Sequence, residues 1–143
     1  ETEDIIKNGW LHTGDIGEIT QDGNLKITDR KKEIIVNLGG DNISPSKIEN
    51  LLCLNEKIKQ SFVYGDKKTY LVALIVCETE ENKKEIENYL ENLNKSLSLV
   101  EKVKKFKLIK EEFTIENGML TPTLKLKRKK ILEKYKQDLE KLY

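Results

Sequence analysis

The chain has 143 residues, 37% hydrophobic and 36% charged, and its 26 Lys plus Arg nearly balance 25 Asp plus Glu, for a net charge of +1. That length suits one domain, or one domain with a piece of another. The charge balance excludes both the disorder signature and a strongly basic nucleic-acid binder.

Residues 1–9 are acidic and lack an apolar core, so no signal peptide is read there, and without a starting Met the chain is expected to be a fragment. No apolar run approaches the ~20 residues of a membrane span. Two cysteines, Cys53 and Cys77, cannot build a disulfide framework, so a reducing, intracellular compartment is expected. Charge is uneven. Seven acids face three bases over residues 1–30, and eight bases face three acids over 125–143. Solvated faces account for this as well as partner surfaces do. The 24 Lys and 11 Asn need no binding role.

Strands are predicted over 15–20 and 25–29, flanking the hairpin loop Gln21-Asp22-Gly23-Asn24. A short strand over 33–36 runs into Gly39-Gly40-Asp41-Asn42, a tight turn that glycine's conformational freedom permits. Ser44-Pro45 then opens a helix, serine as N-cap and proline at the first helical position, with Ile48, Leu51 and Leu52 on its apolar face. Strands over 58–64 and 70–77 turn at Gly65-Asp66-Lys67-Lys68. The unbroken apolar run 71–77 predicts a central strand covered on both faces. Helices are predicted over 80–92 and 95–104, and a strand over 106–110. Ile131, Tyr135, Leu139 and Leu142 mark one side of a C-terminal helix. The fold class is α+β, a small mixed sheet with helices packed on it.

Chemically, single residues say little. His12 is the only histidine, no metal-ligand spacing occurs, and neither GxGxxG nor GxxxxGK[ST] is present, so a self-contained phosphate cradle is missing. Thr13-Gly14-Asp15, Asp29-Arg30-Lys31-Lys32 and the basic stretch 121–130 each read, alone, as ordinary turns and charged ends.

In order, they carry more. The segment from Gly9-Trp10 through Thr13-Gly14-Asp15 to Gly17 resembles the GW-x-x-TGD-x-G motif of the adenylate-forming superfamily, which holds acyl-CoA synthetases, firefly-type luciferases and peptide-synthetase adenylation domains. Asp29-Arg30-Lys31-Lys32 with Ile35 resembles the family's hinge motif. Gly39-Gly40-Asp41-Asn42-Ile43-Ser44-Pro45, with Ile48-Glu49, resembles its GG-E-N-I-x-P-x-x-I-E stretch. Thr121-Pro122-Thr123-Leu124-Lys125-Leu126-Lys127-Arg128 is similar to the terminal motif of the long-chain acyl-CoA synthetase branch.

The resemblance implies a fragment of an ATP-dependent long-chain fatty acid:CoA ligase, with ATP, Mg2+ and CoA as substrates and cofactors. Residues 1–31 would be the last hairpin of a large N-terminal AMP-binding domain, residue 32 the hinge, and 33–143 a mobile C-terminal lid. Asp15 would accept hydrogen bonds from the ribose hydroxyls, and Arg30 would also contact the nucleotide. Lys32 would be the hinge residue, and Gly39 and Gly40 would approach the pantetheine tunnel. Lys125 is the candidate catalytic lysine by register with the common G-K-x-x-R pattern, with Lys127 as the alternative. Leu124 departs from that pattern, since glycine usually stands before the lysine. No metal ligand is assigned.

The implied partners are fatty acid, ATP, CoA and the protein's own N-terminal domain, with peripheral membrane contact and no nucleic acid. The implied location is cytoplasmic or at an organelle surface such as the endoplasmic reticulum. The alternatives are an adenylating ligase for another carboxylic acid, a homologue whose lid no longer turns over, and a non-catalytic α+β module that binds RNA or acidic lipid.

Overall fold

A computed structural model of the chain describes residues 6–143; the acidic segment 1–5, assigned above to the first domain, lies outside the described residues, as do the side chains of Lys7, Thr28 and Asp29. The chain divides into two compact units, Glu1–Ile34 and Ile35–Tyr143.

In the first unit, β1 (Ile6–Lys7) and β2 (Trp10–Leu11) form a short hairpin whose turn residues Asn8 and Gly9 have φ of 53° and 79°. Two consecutive positive φ values make the turn that suits strand twist, so Asn-Gly is the favoured dipeptide there. This hairpin is absent from the sequence reading. The second hairpin pairs β3 (Asp15–Ile19) with β4 (Leu25–Arg30) around the expected Asp-Gly loop. Thr20 closes that loop: its N–H donates to the Asn24 carbonyl at 2.8 Å, and its carbonyl accepts from Gly23 at 2.9 Å. The expected strand over 33–36 is only half strand. Lys31–Glu33 coil as a 3₁₀ turn, and β5 is Ile35–Val36 alone.

The second unit is built on a three-stranded mixed sheet in which β8 (Leu71–Val76) lies between antiparallel β7 (Gln60–Tyr64) and parallel β9 (Val103–Ile109). All of β8 is buried, and its alternation divides the core. Leu71, Ala73 and Ile75 face one cluster, with Ile48 and Leu52 of α1 (Pro45–Leu52) and Ile86 and Leu90 of α2 (Lys83–Ser96). Val72, Leu74 and Val76 face the other, with Ile131, Tyr135 and Leu139 of α3 (Arg128–Glu140). A strand covered by helices on both faces must be apolar throughout, and this one is. The α+β class with a mixed sheet is as expected.

β5 pairs with β6 (Asn42–Ile43) as a small hairpin ahead of α1, whose start matches the sequence: the Ser44 hydroxyl oxygen accepts from the Lys47 N–H at 3.4 Å, and Pro45 occupies the first turn. One expectation fails. Residues 95–104 are not a helix: α2 continues to Ser96, Leu97 turns extended, Leu99–Glu101 make one 3₁₀ turn, and β9 begins at Val103. Leu93, Leu97 and Val100 keep helical spacing, but pairing with buried β8 outweighs local periodicity. Asn94 enforces the switch, donating to the Val103 carbonyl at 2.9 Å and accepting the Val103 N–H at 3.1 Å. Among the described residues no helix is long and apolar enough to cross a membrane.

Candidate functional site

Asp15 and Arg30 stand directly opposite each other across β3 and β4, and the Arg30 Nε donates to Asp15 Oδ1 at 2.9 Å. The hairpin loop sets the register as far as Gly17, and a one-residue shift between Ile16 and Gly17 then places Asp15 opposite Arg30. Gly14, at φ 76°, turns the chain into β3, and its carbonyl accepts the Lys31 N–H at 2.8 Å. The Asp15 side chain is 24% exposed and that of Arg30 63%. A pair this open contributes ~0–1 kcal/mol, so either partner can turn to a ligand at little cost. Geometrically, a carboxylate that accepts from paired hydroxyls and a guanidinium that takes an anion stand side by side.

Lys32 is exposed in the middle of the 3₁₀ turn Lys31–Glu33, two residues before the end of the first unit. Gly39 and Gly40 sit in the loop between β5 and β6, which Asn37 and Asp41 close. Asp41 N–H donates to Asn37 Oδ1 at 2.8 Å, and Asn37 Nδ2 donates to Asp41 Oδ2 at 3.0 Å. Gly40 has φ 84°, the region that favours glycine. Gly39 does not need that freedom, but an added Cβ would meet Asp41 Oδ2 at 3.3 Å. Both glycines and Leu38 are exposed, so the loop presents bare backbone beside one apolar side chain.

Lys125 and Lys127 lie on the loop that precedes α3. Leu120 and Leu126 pair across its base, and the Lys127 N–H donates to the Met119 carbonyl at 2.8 Å. Within it, Thr121 N–H donates to the Lys125 carbonyl at 2.8 Å, while Thr121 Oγ1 accepts the Lys125 N–H at 3.0 Å. The turn is completed by Leu124 at φ 63°. Leucine therefore adopts the left-handed conformation for which glycine is the usual choice, directly before Lys125. Lys125 and Lys127 are both exposed; Lys125 stands on this braced turn and Lys127 is the N-cap residue of α3.

A constellation absent from the sequence reading lies behind the loop. Arg128 grips Glu49 of α1 with both arms, Nη1 to Oε1 and Nη2 to Oε2, each at 2.8 Å. Glu49 is buried, and its Oε1 also accepts the Val63 N–H at 3.0 Å. The guanidinium lies 5.6 Å from the centre of the Phe62 ring. The signal was there. Pro45, Ile48, Glu49 and Leu52 form the buried stripe of α1, and an acid on such a stripe requires a cationic partner.

No group of three or more His, Cys, Asp or Glu among the described residues is placed to hold a metal ion.

Comparison with known proteins shows the family. Residues 32–143 match the family described as AMP-binding enzyme C-terminal domain. A long-chain-fatty-acid–CoA ligase of Mycobacterium tuberculosis is 36% identical over 99% of this chain and 28% of its own length. Human long-chain-fatty-acid–CoA ligase 1 is 36% identical over 99% of this chain and 24% of its own. The chain thus spans about a quarter of the length of these relatives. Among solved structures, the A-PCP didomain of carboxylic acid reductase from Segniliparus rugosus, in complex with AMP, aligns over 99% of this chain and 22% of its own, with a TM-score of 0.87 and 26% identity. A Mycobacterium tuberculosis fatty acyl CoA synthetase aligns over 96% of this chain and 26% of its own, with a TM-score of 0.64 and 28% identity. The chain belongs to the adenylate-forming, AMP-binding enzymes, and residues 32–143 are their C-terminal domain.

Proposed function

We propose that this chain is the C-terminal part of an ATP-dependent long-chain fatty acid:CoA ligase, with residues 33–143 acting as a lid hinged at Lys32 and residues 1–31 belonging to the nucleotide-binding body. In the first half-reaction a carboxylate oxygen of the fatty acid attacks the α-phosphorus of ATP. The acyl–phosphate bond forms, the α–β phosphoanhydride bond breaks and pyrophosphate leaves. In the second, the CoA sulfur attacks the acyl carbon, AMP departs and the thiol proton is lost to solvent. Two anions must meet in the first step, so a positioned ammonium both orients them and offsets developing charge.

The observation that carries the reading is the braced turn before α3, in which Leu124 takes the left-handed place of the family's glycine and presents Lys125 next in sequence. That register favours Lys125 over Lys127 as the cation. Asp15 would take the ribose hydroxyls while Arg30 neutralises a neighbouring oxygen. The bare Gly39-Gly40 backbone suits passage of a thin pantetheine arm, where side chains would intrude.

Long-chain fatty acid is favoured as substrate because the ligases named for it share 36% identity over nearly the whole chain. The high structural agreement with the carboxylic acid reductase domain supports a second reading, an adenylating enzyme for another carboxylic acid. A panel of acids from acetate to palmitate, scored by pyrophosphate release, separates the two. The free cysteines suit a reducing compartment.

The test uses the full-length enzyme. Lys125→Ala is expected to slow acyl-adenylate formation by about 10²-fold or more, the scale seen when one preorganised electrostatic contact is removed. It should spare thioester formation from preformed acyl-adenylate, because a rotated lid no longer presents that lysine. The same pattern from Lys127→Ala, with Lys125→Ala active, would move the assignment by two residues.

A further inference from the structure

The lysine turn is stiff within itself, yet its internal bonds do not set where it stands relative to the rest of the C-terminal domain. That placement falls to the residues next to it. On one side Met119 and Leu120 are buried in the core; on the other, Arg128 is locked to Glu49. A two-point fork between planar groups fixes direction as well as distance. Here it joins the first residue of α3 to α1, which also holds β7 through the Val63 N–H to Glu49 Oε1 and the Ser61 hydroxyl to the Glu49 carbonyl at 3.1 Å.

Stability alone does not call for this arrangement. A buried ion pair is often replaceable by apolar residues at no loss. Arginine is also rare in this chain, with two arginines against 24 lysines. Lysine at 128 would keep the charge and lose both the fork and the planar face toward Phe62.

We propose that the Glu49–Arg128 pair positions Lys125, so that the lysine enters the adenylation site at a fixed distance and angle from the reacting groups. The inference rests on the assignment of Lys125 above. Arg128 touches no substrate in this account and acts only through the turn it anchors.

In the full-length ligase, Arg128→Lys is expected to lower kcat for acyl-adenylate formation by ten- to about 10²-fold, the scale of a ~1 Å misplacement. KM for ATP and fatty acid should stay within about twofold, as should thioester formation from preformed acyl-adenylate. In a Lys125→Ala background the same change should cost nothing further, since the residue it positions is gone. Equal loss in both half-reactions would show a merely structural pair and overturn the proposal. So would unchanged adenylation, or a full additional loss in the Lys125→Ala background. If Lys125→Ala leaves adenylation intact, the catalytic assignment falls first and the positioning role with it. Should Arg128→Lys not fold, Glu49→Gln, which keeps an acceptor for the Val63 N–H, is measured for the same pattern.

Discussion

Leu124 holds φ at 63° with a side chain that is largely exposed, so strain at this residue is not repaid by burial. A left-handed leucine costs ~1–2 kcal/mol in local sterics, while glycine there loses ~0.5–1 kcal/mol through its freer unfolded chain. Leu124→Gly should therefore leave the chain as stable or more stable, by up to ~1 kcal/mol, and Leu124→Val should cost about that much. Urea denaturation measures both. Loss of stability in the glycine variant would mean that the exposed leucine contributes packing. The residue that departs from the family pattern is thus conformationally conservative. Motif alignment proposes Lys125, and a left-handed residue directly before it is compatible with that register.

The region between α2 and β9 shows how elements are decided by neighbours. Leu93, Leu97 and Val100 keep a helical spacing and pack on the core, yet no single helix carries them, since α2 ends at Ser96. Parallel pairing of β9 with β8 satisfies backbone groups beside an already buried strand, and Asn94 closes the junction with two hydrogen bonds to Val103. Asn94→Ala leaves both Val103 backbone groups without that partner and should cost about 1–3 kcal/mol in urea unfolding. A change under ~0.5 kcal/mol would show that the β ladder alone holds the strand start. The Asn8-Gly9 hairpin is the opposite case. It is strongly coded locally, and the reading passed over it because two-residue strands carry almost no hydrophobic pattern.

At the scale of the molecule, charge and burial set the pH range. Burial and a hydrogen bond to Glu111 push the Tyr135 phenol up to about 12, and burial also raises Tyr143 well above the usual value. The folded state keeps protons that the unfolded chain releases near ~10, so this stability is complete below pH ~10 and declines toward about 12. Melting temperature should fall steeply across that window, and Tyr135→Phe should flatten the fall. The same slope in the variant would assign it to other groups. On the acid side, hydrogen bonds from Lys134 and Lys47 hold Glu111 and Glu101 below the ordinary carboxylate value. Their contribution is present above that value and fades as pH falls through it.

The proposed hinge also belongs to this scale. Proline at residue 32 fixes φ near ~−65° and drives Lys31 out of the helical region that its 3₁₀ turn uses. In the full-length enzyme Lys32→Pro should preserve adenylation and sharply reduce thioester formation. Equal loss in both, with the fold intact, would place the pivot elsewhere.

Local chemistry alone determined the hairpin at Asp22-Gly23, the Ser44-Pro45 helix start, the buried central strand at 71–77 and the α+β class. Each depends on turn dihedrals, capping or side-chain period within a few residues. Motif order nominated Asp15, Arg30, Gly39, Gly40 and Lys125, but not that Asp15 and Arg30 pair with each other. Tertiary structure decided the rest: the start of β9 at Val103 where a helix was expected to run to 104, the left-handed Leu124 and the Glu49–Arg128 fork between residues 79 positions apart. Such features arise where distant segments satisfy each other's hydrogen bonds and charges, and no periodicity in a single chain records which segments will meet.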